Sequence, residues 1–148
     1  MRILLQRTTG ASVSMEGEAA RSIGMGYVLL LGIGKKDTQE TCRKMWDKVR
    51  KLRLFEDENG KTNLSLDQVQ GEILLVSQFT LYANCKKGNR PSFVDAGSPA
   101  EANELYEAFA ALVRDEGFHC ETGWFGEMMN VNLENNGPFT IWLDSEDL

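Results

Sequence analysis

The stretch GEILLVSQFTLYA, residues 71–83, decides how the rest of this 148-residue chain is interpreted. Its apolar first half, ILLV, is typical of a strand that lies buried in a sheet. Polar and apolar residues alternate after it, so we predict one strand over residues 72–81, with Gln78, Thr80 and Tyr82 on one face. Amide and hydroxyl groups in a core strand need hydrogen-bond partners, and the polar end of this strand is therefore a candidate site.

Three more strands are predicted upstream. Residues 2–14 form the first, with a bulge or bend at Gly10, and a short second strand covers residues 19–23. Residues 27–33 are continuously apolar, which predicts a central strand buried on both faces.

Two helices are indicated by their start signals. Asp37 is the expected N-cap of the first, with Glu40 completing a capping box, and this helix runs to about residue 54. Ser98 followed by proline begins the second helix, which ends near residue 116.

The C-terminal third predicts three short strands, over residues 119–122, 128–133 and 139–143, whereas 61–71 look irregular and 144–148 form a frayed tail. The resulting order β-β-β-α-β-α-β-β-β predicts an α/β fold of mixed β-sheets with two helices packed on one side. Strands and helices do not alternate regularly, which argues against a doubly wound fold.

Charge is distributed unevenly over the chain, whose net charge is −6. Residues 1–94 hold 15 Lys and Arg against 10 Asp and Glu, whereas residues 95–148 hold one against 12. An acidic chain is a poor general binder of nucleic acid, so we expect no DNA partner. The first helix is the most basic segment: its cations form a solvated face or, if that face borders a site, a patch for nucleic-acid backbone.

A long polar loop over residues 83–97 follows the polar strand end and carries Lys86, Lys87 and Arg90. Long loops inside compact domains are often functional. We therefore predict that these three cations contact phosphate groups.

Several kinds of site are disfavoured by the residues themselves. Cys42, Cys85 and Cys120 are odd in number and widely spaced, which favours a reducing cytoplasm over a disulfide framework. With His119 as the only histidine there is no zinc pattern, so we predict no bound metal and no cofactor. We expect neither a signal peptide nor a membrane span, which would need about 20 apolar residues.

Conventional hydrolytic machinery is also scarce. His119 lies at a predicted strand start, Cys85 is a conceivable thiol without an evident base, and no carboxylate pair stands out. An enzyme with this sequence would have to rely on positioning, backbone hydrogen bonds and a catalytic group of its substrate.

Six motifs make the chain resemble the D-aminoacyl-tRNA deacylases of the bacterial and eukaryotic type over essentially its whole length. They are, in order, MRxLLQR at 1–7, LFED and GKxNxS within 54–65, SQFTLYA at 77–83, KGxRPSF at 87–93, ETGxFG at 121–126 and NxGPxT at 135–140. The resemblance implies that residues 1–148 form a single deacylase domain with a three-layer α/β/β fold.

The resemblance also implies a function. Members hydrolyse the ester between a D-amino acid and the 3′-terminal adenosine of tRNA, and remove glycine mischarged onto tRNA(Ala). They are homodimers with active sites at the subunit interface. The Gly137-Pro138 step is then cis and reaches into the partner's site, where its carbonyls capture the amino group and exclude an L side chain.

Roles for individual residues follow from the same resemblance. Backbone N–H groups of Ser77, Gln78 and Phe79, with the Gln78 side chain, contact the scissile ester. Either Thr80 is the nucleophile or the ribose 2′-OH activates water, and we favour the second because Thr80 has no evident base. Further matches are Arg7, which braces the Gly-Pro step, and Phe125 and Met129, which shape the adenosine pocket or belong to the core.

Two positions depart from the family pattern: Asn136 replaces a common Asp, and Trp124 replaces a basic or polar residue. The first removes a charge but keeps a hydrogen-bonding side chain, so we expect little change. The second alters the expected pocket rim. The alternative to an enzyme is a non-catalytic tRNA-binding dimeric module of the same fold.

Overall fold

Strand β1, Arg2–Ser14, organises the sheet in the computed structural model, which describes residues 1–148. One edge of β1 pairs antiparallel with β3, Gly26–Gly32, and further along with β2, Arg21–Ile23. The other edge pairs antiparallel with β8, Asn130–Asp144. β1 is therefore covered by neighbours on both edges, whereas the far edge of β8 has no partner strand.

The remaining strands extend the sheet on the side of β3. β6, Glu72–Ser77, lies parallel to β3, and β7, Cys120–Thr122, lies parallel to β6. A separate antiparallel pair is formed by β4, Arg53–Glu56, and β5, Thr62–Ser65. The mixture of parallel and antiparallel pairs confirms the predicted α/β class.

The two long helices pack against each other on one face of the sheet. α1 covers Gln39–Lys51 and α3 covers Pro99–Asp115, and a single turn, α2, covers Leu66–Val69. The buried residues of α1 and α3 join those of β1, β3 and β6 in one core cluster of 22 residues. No helix in the structure is both long enough and apolar enough to cross a bilayer.

A smaller cluster of six buried residues contains no helical residue. β1 contributes to both clusters, Leu5 to the larger and Ala11 to the smaller. The change of side follows a register shift between Thr8 and Ala11, which is the bulge predicted at Gly10.

Helix α1 starts one residue later than predicted. Its N-cap is Thr38, whose hydroxyl accepts from the Thr41 N–H, and not Asp37. One oxygen of the Asp37 carboxylate instead accepts the Gly34 N–H at 2.6 Å and the other pairs with the N-terminal ammonium of Met1 at 2.5 Å, so neither is available to the helix. The helix also ends at Lys51, earlier than predicted, because β4 starts at Arg53.

Other boundaries were predicted wrongly. Residues 61–71 are not irregular, because they contain β5 and α2. The strands expected at 128–133 and 139–143 are one strand, β8, since both halves pair with β1. The tail forms a 3₁₀ turn over Ser145–Asp147 rather than fraying.

Candidate functional site

The polar segment after β6 is a turn, not a strand. β6 ends at Ser77, and Phe79–Tyr82 form a 3₁₀ turn, here called the strand-end turn, so the prediction of a strand to residue 81 is wrong. Two glycines of the neighbouring segment make room for it. A Cβ at Gly32 would lie 3.0 Å from the Gln78 carbonyl, and one at Gly34 would lie 2.6 Å from the phenol oxygen of the turn's tyrosine.

Arg2 holds the strand-end turn from outside. Its Nη1 donates to the Leu81 carbonyl at 3.0 Å, and its guanidinium lies 4.3 Å from the Tyr82 ring centroid. Its Nε donates to Asp144 at 2.9 Å. Burial disfavours the Asp144 carboxylate, but hydrogen bonds from the Glu146 N–H and from Arg2 outweigh it and lower the pKa of Asp144.

The turn leaves two backbone donors without a partner. The Gln78 N–H is not free, because it donates to the Leu31 carbonyl at 2.8 Å. The N–H groups of Phe79 and Thr80, at the exposed start of the turn, have no acceptor in the structure. Two neighbouring N–H groups without an acceptor, on exposed residues, are the kind of donor pair that stabilises a developing oxyanion.

The Thr80 hydroxyl has an amide rather than a base beside it. The Gln78 side-chain nitrogen donates a hydrogen bond to Thr80 Oγ1. A carboxamide does not accept a proton, so this contact orients the hydroxyl without activating it as a nucleophile.

The loop over residues 83–97, here the basic loop, is attached to the strand-end turn through an aromatic contact. The Phe79 and Phe93 rings meet edge to face with centroids 5.0 Å apart. Lys86, Lys87 and Arg90 are exposed in this loop and form no ion pair. These cations therefore lie on a loop that is packed against the site.

The Gly-Pro segment forms a loop that protrudes from the β1–β8 ladder. Opposite the single residue Arg7, β8 places residues 136–139, here called the Gly-Pro loop. The Gly137-Pro138 peptide is cis, and both residues are exposed. The backbone of the loop is thus displayed on the surface rather than used in the sheet.

Arg7 fills the space beneath this loop. It is 7% exposed, donates to the Asn136 carbonyl at 2.9 Å and to the Leu54 carbonyl at 2.5 Å, and lies 4.3 Å from the Phe139 ring centroid. The Asn135 amide donates to the carbonyls of Arg7 and Phe139, at 3.2 and 3.1 Å. The loop is therefore held from both sides.

Within one chain the Gly-Pro loop and the strand-end turn lie apart. Ser77 pairs with Leu31, Leu31 with Ile3, and Ile3 with Leu143, so β3 and β1 separate the two segments across the sheet. Along β8, Thr140, where the loop rejoins the ladder, precedes Leu143 by three residues, a further distance of about 10 Å in an extended strand.

Phe125 and Met129 lie beside the site strand but take part in packing. Phe125 contacts the Tyr106 ring with centroids 5.9 Å apart and packs against the larger cluster. Met129 packs against the smaller cluster, and both its sulfur and the Val76 side chain lie within 4 Å of where a Cβ at Gly123 would be. Both side chains are only partly buried.

Trp124, at the other departure from the family pattern, also packs against the smaller cluster. The Arg21 guanidinium lies 4.0 Å from the centroid of its ring and donates to the Thr122 carbonyl at 2.8 Å. The indole is thus held in place by a cation–π contact.

Several residues that build the site were missed from the sequence. Arg2, Gly32, Gly34, Phe93 and Asn135 each fix one of the two segments. Arg2, Phe93 and Asn135 stand in the motifs quoted above but were given no role, and the two glycines offered a signal because they end an apolar strand without forming a phosphate-binding fingerprint. The other contacts join residues far apart in the chain.

His119 lies away from the strand-end turn. Its carbonyl accepts the N–H of Ile73, near the start of β6, whereas the turn follows the other end. Its Nε2 is 3.4 Å from Glu121.

Comparison with known proteins gives one consistent result. The family model described as D-Tyr-tRNA(Tyr) deacylase matches residues 4–144. A D-aminoacyl-tRNA deacylase of Lactobacillus acidophilus is 55% identical over 144 residues, which cover 97% of this chain and 99% of that protein. One of Thermotoga petrophila is 48% identical over 148 residues, covering 100% and 99%.

Solved structures give the same fold. One named as a c-Myc DNA unwinding element binding protein superposes with a TM-score of 0.90 at 41% identity, covering 97% of this chain and 98% of that one. Another, named as a probable eukaryotic D-amino acid tRNA deacylase, superposes with a TM-score of 0.84 at 20% identity over 96% and 97% of the chains, which bears on the fold alone.

Proposed function

Because the chain belongs to the D-Tyr-tRNA(Tyr) deacylase family, whose members are enzymes that hydrolyse aminoacyl-tRNA esters, we propose that it acts as a deacylase, as one domain, in the cytoplasm. It removes D-amino acids from tRNA and glycine from tRNA(Ala), and it leaves L-aminoacyl-tRNA intact. The observation that carries the chemistry is the pair of free N–H groups at Phe79 and Thr80.

In this proposal the ester carbonyl lies against the strand-end turn. Attack of water on the carbonyl carbon creates an oxyanion, to which the Phe79 and Thr80 N–H groups donate. When the oxyanion collapses, the bond between the carbonyl carbon and the ribose 3′ oxygen breaks, and the proton lost by the water goes to that departing oxygen. The Gln78 amide holds the Thr80 hydroxyl, and Ser77 ends the strand that lines the ester. The 2′-OH of the terminal ribose, which is part of the substrate, orients and activates the attacking water, since no side-chain base adjoins Thr80.

Chiral selection is assigned to the Gly-Pro loop of a second copy. One chain keeps this loop away from its own strand-end turn, so a homodimer is needed to bring them together. The exposed carbonyls of Gly137 and Pro138 would accept hydrogen bonds from the substrate's α-amino group. A backbone contact suits an enzyme that must accept many D side chains, because it excludes the L side chain without a dedicated pocket.

The rest of the substrate is bound by groups around the turn. The partly exposed sides of Phe125 and Met129 border the adenosine next to β6. The basic loop contacts phosphates of the acceptor end through Lys86, Lys87 and Arg90. The Phe79–Phe93 contact holds this loop against the strand-end turn and so keeps its cations close to the bound ester.

The test is hydrolysis of D-Tyr-tRNA and L-Tyr-tRNA, with Gly-tRNA(Ala) in a parallel assay, by the parent protein and by Thr80→Ala. We expect the D-ester and the glycyl ester to be cleaved, the L-ester to survive, and Thr80→Ala to keep most of the activity. A folded but inactive Thr80→Ala would restore the side-chain nucleophile. A parent protein that binds tRNA stably and cleaves none of the esters would be the non-catalytic module instead.

A further inference from the structure

The segment that precedes α1 and the exposed side of α1 itself carry cations that the proposed mechanism does not use. Lys35, Lys36, Arg43 and Lys48 are all exposed, and none of their side chains forms an ion pair or hydrogen bond in the structure. We call these four residues the α1 basic surface. Exposed cations without partners leave a positive potential that is available to a ligand.

The other cations of this segment are already engaged. Lys51 pairs with Asp47, and Arg50 contacts Asp47, Asp67 and Glu116. The Arg53 side chain donates to Asn63. After this internal pairing the four cations of the α1 basic surface remain, together with one exposed and unpaired carboxylate of the helix, Glu40.

The adjacent helix has the opposite character. α3 exposes Glu104, Glu107 and Asp115 without ion pairs, and its only cation, Arg114, donates to the Cys120 carbonyl. A polyanion that approaches this side of the molecule would therefore be attracted to α1 and repelled by α3.

A cleft connects the α1 basic surface with the strand-end turn. It has a volume of about 650 Å³ and lies between Lys35 and Lys36 on one side and Tyr82, of the turn, on the other. It also contains five carboxylates: Asp37 accepts the Gly34 N–H and pairs with the N-terminal ammonium, Asp144 pairs with Arg2, and Glu40, Asp95 and Glu146 form no ion pair. The basic segment therefore borders the candidate site. Under this condition we expect its cations to bind nucleic-acid backbone rather than only to face solvent.

We propose that the α1 basic surface binds the sugar–phosphate backbone of the tRNA acceptor arm, beyond the terminal adenosine. This inference rests on the proposed function and extends its substrate site. A helix of 13 residues is about 20 Å long, a length over which a duplex presents on the order of ten phosphates. Four cations at one edge of the site can contact several of them while the 3′ end lies in the turn.

The experiment measures the affinity for uncharged tRNA as a function of salt concentration, for the parent and for Arg43→Gln/Lys48→Gln. Each lost phosphate contact lowers the slope of log Kd against log salt by about 0.9, so the double variant should lose roughly 1.8. Lys61→Gln is the matched control for Lys48→Gln, because Lys61 is also exposed and unpaired but lies in the turn between β4 and β5. It should leave the slope unchanged.

A second measurement separates this inference from the proposed function. Hydrolysis of 3′-O-D-tyrosyl-adenosine, which has no acceptor arm, should proceed at the parent rate in the double variant. An unchanged salt slope, or an equal change in the control, would overturn the role of α1 even if D-Tyr-tRNA is cleaved. A slope that falls as expected in a protein that cleaves no ester would instead refute the proposed function and keep the binding surface.

Discussion

Replacement of Arg7 by alanine tests whether one buried guanidinium holds the Gly-Pro loop. The change removes charged hydrogen bonds to the carbonyls of Leu54 and Asn136, together with the contact on the Phe139 ring. A hydrogen bond from a charged donor contributes about 1.5–3 kcal/mol, and relief of the buried charge offsets part of that sum. We therefore expect the free energy of unfolding to fall by about 3 kcal/mol.

Urea unfolding at fixed protein concentration measures this loss, and thermal unfolding should show a Tm lower by about 6–12 °C. Arg53→Ala is the matched control: this arginine is exposed and bonds only to Asn63, so it should cost no more than about 1 kcal/mol. If Arg7→Ala costs no more than Arg53→Ala, the guanidinium does not hold the loop and the reasoning fails.

Four further experiments have defined outcomes. Gly32→Ala should lower deacylase activity by about tenfold while the protein stays folded by circular dichroism, because the added methyl lies 3.0 Å from the Gln78 carbonyl and forces the strand-end turn to shift; parent activity would refute this. Burial raises the pKa of Cys42 and Cys120 to about 11, so the unfolded thiols ionise first and the free energy of unfolding should fall as pH rises from about 9 to 11, as urea titrations will measure. At pH 8 a thiol reagent should modify exposed Cys85 alone until the chain unfolds, when three thiols react. The pKa of Asp144 is lowered, so its contribution to stability is lost as pH falls through the folded pKa, and Asp144→Asn should flatten the acid limb of stability below about pH 4.

The fold was predictable where the signal is local. The continuous apolar run over residues 27–33 predicted a central strand buried on both faces, and β3 lies between β1 and β6 with nearly all of its residues buried. The Ser98-Pro99 start signal of α3 also agrees with the structure, because it depends only on adjacent residues.

The candidate site was less predictable, because its geometry depends on distant residues. Alternation after Ser77 suggested a strand, but room at Gly32 and Gly34 and the hydrogen bond from Arg2 allow a turn there. A glycine and a proline near the end of the chain suggested a strand boundary at residue 138. β1 is long enough to pair on both sides of that interruption, which sequence periodicity does not reveal.

The anchoring of the Gly-Pro loop has a consequence for the entropy of association. Both ends of the loop continue into ladder pairs with the same strand, Thr8 with Asn135 and Gln6 with Thr140, while Arg7 fills its inner side. An exposed loop that is ordered before it meets a partner has little conformational freedom left to lose. The free energy of association of the proposed dimer therefore contains little cost from ordering this loop, and the two chains bind more tightly than they would with a disordered loop.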